Sequence, residues 1–410
     1  MTATTPLTPT ESTARYHSLD LIRGIAVAGI LIMNIYAFAN VYAYYVSPAA
    51  LGEPSLANLV TWLVTHTFAD QKFYTLFSML FGAGIMLMAE RAKANGTSPA
   101  GLHYKRMFWL LCIGVIHAIF IWYGDILVTY ALTGLWVYLF ARDTQAKTKL
   151  VVGSILILMI VLLMTLFAAY IDNASEADMA EMANMFAPTE DFVANETAVY
   201  TSTYASQMDH RIHFFVTSLP MMALFFGLFR IGGSMLLGMG LYQLGILTAE
   251  RSRSFYLKMM ILCFIAGFGI LAYDNFLLLT SNFSMSTTML SFMSLNSFAA
   301  VFVALGYIAL FCLWVKSDKF TGFRSRLEAV GRMAFTNYLA QSIICTLLFY
   351  SHGFGLFGQL ERYQLMFIVA IIFTAQLIWS PWWLARFKYG PLEWLWRSLS
   401  YGKLQSFKRN

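Results

Sequence analysis

Long apolar runs alternate along this chain with short breaks rich in Lys and Arg. A helix needs about 20 mostly apolar residues to cross a bilayer. Ten runs approach that length: residues 19–45, 73–89, 107–122, 126–140, 150–171, 213–247, 256–280, 289–315, 330–350 and 366–384. A mildly amphipathic piece lies at 56–67, and the segment GPLEWLWRSL near the C-terminus is a second. The run 213–247 is too long for one straight span, because about 35 residues of helix cover roughly 50 Å. Pro220 and the Arg230-Ile-Gly-Gly sequence predict an interfacial or re-entrant helix there, followed by a crossing. The pattern predicts an all-α fold: a polytopic integral membrane helix bundle of about ten transmembrane helices with amphipathic or re-entrant pieces.

Charge adds an orientation. Arg23, Arg91, Lys93, Lys105, Arg106, Arg142, Lys147, Lys149, Arg251, Arg253, Lys316, Arg324 and Arg386 stand in or beside every second break. Ten crossings with both termini cytoplasmic put all of them on the inner side, as the positive-inside rule asks. Residues 172–209, which hold no Lys or Arg, then form an acidic extracytoplasmic loop. The expected organisation is a disordered cytoplasmic arm at 1–17, one transmembrane domain at 18–389 and an amphipathic cytoplasmic tail at 390–410.

Composition agrees with this class. The chain is 59% hydrophobic and 12% charged, against about 25% charged in soluble domains, so a soluble enzyme is excluded. The net charge of +6 reads as orientation charge and not as a nucleic-acid footprint. Cys112, Cys263, Cys312 and Cys345 lie in apolar runs without paired spacing, which points to core filling and not to disulfides or a metal. Walker A, HExxH and GxSxG patterns are absent, as is any clustering of metal ligands.

Polar residues inside apolar runs are costly and face protein or water. The stretch HAIFIWYGDILVTY, residues 117–130, carries His117 just before a turn and Asp125 at the start of the returning helix. Asp125 suits a helix N-terminus as a cap, and it also suits an acid–base pair with His117. His66, Asp70 and Lys72 precede the second run on the same outer side, and Asn34 sits at a depth like that of His117. Asp274 lies deep in the seventh run, with Arg230 or Arg211 as its expected partner. On the inner side, Arg23, Arg106, Arg332 and Asn337 form a mouth suited to an anionic, nucleotide-bearing donor.

Five phrases carry a resemblance: SLDLIRGIAVAGILIMNI (18–35), DQKFYTLFSMLFGAG (70–84), HAIFIWYGDILVTYAL (117–132), GRMAFTNYLAQSII (331–344) and GPLEWLWRSLSYGK (390–403). Their order and spacing resemble the YeiB-like family of bacterial inner-membrane proteins. That family is distantly similar to transmembrane acyltransferases of the heparan-α-glucosaminide N-acetyltransferase and glucan-succinylating types, which also open with a D-x-x-R-G helix, here residues 20–24. The resemblance implies a bacterial inner-membrane protein that moves an acyl group from cytoplasmic acyl-CoA to an extracytoplasmic small-molecule acceptor. It implies an outer base, with Asn34 and His66 resembling an Asn/His pair and His117 as a rival. In that scheme Asp70 or Asp125 orients the base, and Arg23, Arg106, Arg332 and Asn337 receive the donor. Two other readings stay open: a small-solute transporter with Asp274 or Asp125 as coupling carboxylate, and a non-enzymatic membrane partner acting through loop 172–209. A homo-oligomer is compatible with each.

Overall fold

The structure, a computed structural model, describes residues 16–94, 96, 98–141, 144–171, 184, 186 and 188–409. The expected arm therefore lies outside the described residues except for Tyr16 and His17, and so does much of the acidic loop, including residues 172–183. All the regular elements among the described residues are helical: α1 (His17–Ala39), α2 (Tyr42–Val46), α3 (Leu56–Phe68), α4 (Lys72–Ala94), α5 (Pro99–Phe120), α6 (Leu127–Val137), α7 (Ala146–Ile171) and α8 (Glu190–Thr201). Then come α9 (Tyr204–Met221), a π segment (Met222–Ile231), α10 (Gly232–Gln243), α11 (Arg253–Thr280), α12 (Met285–Leu290), a second π segment (Ser291–Leu295) and α13 (Asn296–Val315). The chain closes with α14 (Thr321–Arg332), α15 (Ala334–Phe349), α16 (Arg362–Arg386) and α17 (Pro391–Tyr401).

Among the described residues seven helical stretches are long and apolar enough to cross a membrane, and two shorter apolar helices, Leu127–Ala141 and Ala334–Phe349, lie among them. The outer helices turn apolar side chains away from the bundle: Leu162 and Leu166 on α7, Leu262 and Ile265 on α11, Phe367 and Ile371 on α16 are all exposed. Faces of this kind suit lipid and not water. The protein is an all-α membrane bundle.

Its two ends differ. At one, Arg106 stacks over Trp396, Arg253 donates to the Lys316 carbonyl, and Lys149 reaches Gln243, 2.9 Å away. The other gathers Tyr42 with Glu196, Tyr204 with the Phe120 carbonyl, and Gln207 with Ser351.

Two runs differ from their expected form. The first run does not continue from 19 to 45. It stops at Asn40, whose backbone is extended and whose side chain accepts from the Val41 amide at 3.0 Å. A short amide side chain that bonds its own backbone competes with the helix. The re-entrant piece expected within 213–247 is replaced by one continuous helical stretch, Tyr204–Gln243. Pro220 lacks an N–H and crowds the preceding turn, and the helix absorbs it by running in π register over Met222–Ile231. Gly232 and Gly233 break nothing, because they serve packing. A Cβ on Gly232 would sit 2.2 Å from the Trp136 ring, and one on Gly233 would sit 2.8 Å from the Gly153 carbonyl.

The centre is α4 against α10, and the packing is reciprocal. A Cβ on Gly82 would meet the Met235 carbonyl at 2.0 Å, and one on Gly238 the Met79 carbonyl at 1.9 Å. Small residues allow this backbone approach where lipid supplies little hydrophobic drive between helices.

Candidate functional site

The α5–α6 hairpin is locked before any chemistry is considered. Trp122 stacks on Phe38 with centroids 3.9 Å apart, and the Tyr123 hydroxyl donates to the Ala37 carbonyl at 3.3 Å. Gly124 is required there, since a Cβ would lie 2.4 Å from the Trp122 ring. Within this turn Asp125 does both things its position suggested. Its Oδ1 accepts from the Val128 amide at 2.8 Å, which satisfies one orphan donor at the start of α6. Its Oδ2 lies 2.7 Å from His117 Nδ1. A carboxylate on Nδ1 selects the tautomer with the proton there and leaves Nε2 as the lone-pair nitrogen. His117 Nε2 has no hydrogen-bond partner, although the residue is 1% exposed. The Tyr338 ring stands 5.5 Å from the imidazole, centroid to centroid, and its hydroxyl is also unpartnered.

His66 is held differently. Its Nε2 lies 3.0 Å from Asp274 Oδ2, and its Nδ1 faces Asn296 Nδ2 at 3.4 Å and Asp70 Oδ2 at 3.6 Å. Lys72 Nζ donates to the His66 carbonyl at 2.6 Å and to Asn296 Oδ1. Asn296 donates to Asp70 at 2.7 Å and Ser291 donates to Asp274 at 2.9 Å. Trp62 stacks flat on the imidazole, 4.4 Å away. Every member of this knot is buried. The expected partnership of Asp274 with Arg230 or Arg211 is therefore corrected. Arg230 instead donates to Tyr74 and Thr75, and Arg211 to the Ile119 carbonyl. Helix α11 turns Asp274 toward α3, where the imidazole stands.

A cavity of about 1880 Å³ threads the bundle. Its wall includes Arg23, Arg106, Arg332 and Arg397 at the basic end, Asn34 and Arg230 further in, and Asp125, Tyr338 and Glu196 toward the other end. His117 stands one side chain behind the wall that Asp125 and Tyr338 form. His66, Asp70 and Asp274 are not in the wall. The outer residues thus form two sites, where the sequence suggested one shared pocket.

At the basic mouth Arg23 lies 3.0 Å from Asp20, and Arg106 stacks 4.3 Å over Trp396, whose indole N–H returns to the Arg106 carbonyl. Glu393 accepts from the Phe335 and Thr336 amides and so caps α15; burial raises its carboxyl above the usual range, and these donors oppose the rise. Asn337 takes no part in the mouth. It is fully buried, donates to the Val330 carbonyl and Ser380, accepts from Trp379, and so ties α15 to α16. At the opposite end Glu196 accepts from the Tyr42 amide at 3.0 Å, and burial pushes its carboxyl up to about 7. Sequence reasoning passed over Glu196, Asn296 and Tyr338. Asn296 had a signal, as a polar residue inside the eighth apolar run. Glu196 had none within its acidic loop.

Fold and site together define a polytopic α-helical membrane protein with a through-bundle cavity, basic at one mouth and flanked by a His–carboxylate dyad near the other. Comparison with known proteins finds similar chains. The family described as "Protein of unknown function (DUF418)" matches residues 241–403. The chain is 29% identical to "Uncharacterized protein YeiB" of Escherichia coli (strain K12), over 93% of this chain and 95% of that protein. It is also 29% identical to "Uncharacterized protein YxaH" of Bacillus subtilis (strain 168), over 96% of each. A third relative, "Uncharacterized 39.9 kDa protein in amylase 3'region" of Bacillus acidopullulyticus, is 25% identical over 95% of this chain and 94% of its own length. Along nearly its whole length the chain is similar to these YeiB-like proteins.

Proposed function

We propose that this protein is a membrane-embedded acyltransferase that takes an acyl group from acyl-CoA at the basic mouth and passes it to an acceptor at the His117 end. The observation that carries the reading is the pairing of two features along one cavity. One is a mouth with Arg23, Arg106, Arg332 and Arg397 in its wall, and the other is an Asp–His dyad whose Nε2 is unpartnered. Guanidinium groups suit phosphate oxygens, and Trp396 beneath Arg106 offers a flat face to an adenine. The donor is a substrate, and its acyl thioester supplies the electrophilic carbonyl.

The protein's part is proton management. His117 Nε2 takes the proton from an acceptor hydroxyl or amine as that atom attacks the thioester carbonyl carbon. The carbon–sulfur bond then breaks, and the proton on Nε2 goes to the departing sulfur, so ester or amide and free thiol are the products. Asp125 Oδ2 holds the transient imidazolium, while Oδ1, fixed to the Val128 amide, keeps the carboxylate from turning away. Asn34, half-buried in the same wall, supplies a donor to the oxyanion. His66 is the poorer base, because Asp274, Asn296 and Asp70 already engage both of its nitrogens.

The same reading sets the protein in a bacterial plasma membrane with both termini cytoplasmic and the dyad facing outward. A single cysteine within residues 351–362 is then labelled by an impermeant maleimide added to intact cells, and labelling only after lysis reverses the orientation. The activity is tested with full-length protein, radiolabelled acetyl-CoA and a membrane extract as acceptor source. Transfer of label that His117→Ala abolishes supports the proposal; transfer equal in the variant and the parent protein refutes it.

A further inference from the structure

Arg230 stands in the wall of the cavity on the π segment Met222–Ile231, and it is 2% exposed. Its Nε donates to the Tyr74 hydroxyl at 3.1 Å and its Nη2 to Thr75 Oγ1 at 2.9 Å. Its Nη1 has no partner. Both of its partners are neutral, and among the described residues no carboxylate forms an ion pair with it. The two acids of the His66 knot bond elsewhere, Asp70 to Asn296 and Tyr45, and Asp274 through Oδ2 to His66 and Ser291, and neither forms an ion pair with Arg230. A buried cation with an open donor is unfavourable unless an anion completes it. The wall beside it is aromatic, with Tyr74, Phe77, Tyr130 and Phe226. The setting in a π segment is itself of a kind frequent at functional sites.

We propose that Arg230 is the anchor for a phosphate group on the molecule that occupies this cavity. The inference deepens the acyl-transfer reading by making the acceptor an acidic compound, and it rests on that reading only for the word acceptor. Tyr74 and Thr75 hold the guanidinium plane through Nε and Nη2, which leaves Nη1 as the donor still to be filled. The same anchor serves a free anion or the headgroup of a lipid, and the test separates these sources.

Binding is measured without turnover, so its failure is distinguishable from failure of acyl transfer. Full-length protein in a neutral detergent is titrated with inorganic phosphate, with dioctanoyl phosphatidylglycerol and with uncharged dioctanoylglycerol, and the shift in thermal midpoint is followed. The parent protein is expected to respond to at least one of the two phosphate-bearing probes and not to dioctanoylglycerol. In Arg230→Gln the affinity for that probe falls about tenfold or more, as loss of a hydrogen bond to a charged group implies. Arg230→Lys keeps the charge but not the fork that serves three acceptors at once. It is expected to bind about tenfold more weakly than the parent, and it is the variant read if Arg230→Gln does not fold. A response to phosphate alone assigns a soluble acid, and a response to phosphatidylglycerol alone assigns a lipid headgroup. No response to either probe overturns the proposal, and so does undiminished affinity in the variant that folds.

Discussion

His66 and His117 make the instructive comparison. Both are buried histidines beside a carboxylate, and both stand toward the same end of the bundle. His66 is saturated: two aspartates, an asparagine, a lysine and a stacked Trp62 leave it nothing to give. His117 is half-used, held through Nδ1 and open at Nε2, with a cavity wall beside it. Networks of this kind rigidify a core, and here Asp274 Oδ1 is left over while both nitrogens of His66 are engaged. A base needs one nitrogen held and the other left over. Burial and a nearby acid therefore do not distinguish the two histidines, and the unfilled ring nitrogen of His117 does.

The sharpest way to break this contrast is to exchange the two effects. His117→Ala is expected to lower acyl transfer about 10²–10⁴-fold, the span usual for loss of a positioned general base, with the thermal midpoint little changed. Label transfer reads the first and scanning fluorimetry the second. Lys72→Met should do the reverse. It removes the ammonium that donates to the His66 carbonyl and to Asn296 Oδ1, and each buried polar group left unsatisfied costs about 1–3 kcal/mol. The midpoint drops strongly while transfer per folded molecule stays within a few-fold; transfer lost at full stability would move the chemistry to the His66 knot.

A smaller effect belongs to the basic mouth. Arg106→Gln is expected to raise the KM for acyl-CoA about tenfold with kcat kept, the signature of uniform binding energy. A fall in kcat at constant KM would put Arg106 in the wrong role. The smallest effect concerns Glu196, whose carboxyl is raised from the ordinary 4.5 to about 7 by burial, against the Tyr42 amide that lowers it. The folded state then holds its proton more tightly than the unfolded one. The contribution is most favourable below pH 4.5 and declines as pH rises toward 7, by at most about 2 kcal/mol once partial exposure is allowed for. Glu196→Gln removes that decline between pH 5 and pH 8. Equal pH slopes of the midpoint in both proteins would show that Glu196 is not the group that titrates.

How much could be read before the structure depends on sequence distance. The His117–Asp125 pair was legible because eight residues and one tight turn separate the partners, so local geometry brings them together. The His66–Asp274 contact spans 208 residues and exists only because α11 packs its outer half beside α3. Arg230 meets Tyr74 across 156 residues for the same kind of reason. Asn337 misled, since a polar residue near a basic helix start looks alike whether it faces a cavity or a neighbouring helix. Gly232 and Gly233 misled too, because a glycine pair signals a break or close packing according to what stands opposite, here Trp136 and Gly153.

The sequence by itself determined the class of molecule. Unpaired backbone and buried charge are costly in a bilayer, so apolar length is enough to specify a helical bundle, and the placement of Lys and Arg predicts one basic end. It also determined the hairpin that carries His117 and Asp125. Only the tertiary structure decided which polar residues are spent on one another and which are left facing a cavity. That division rests on which helix faces meet, and helical periodicity offers several pairings of similar apolar quality. The choice among them is made by close contacts such as Gly82 on Met235 and Gly238 on Met79. From these contacts follow both the saturation of His66 and the open Nε2 of His117.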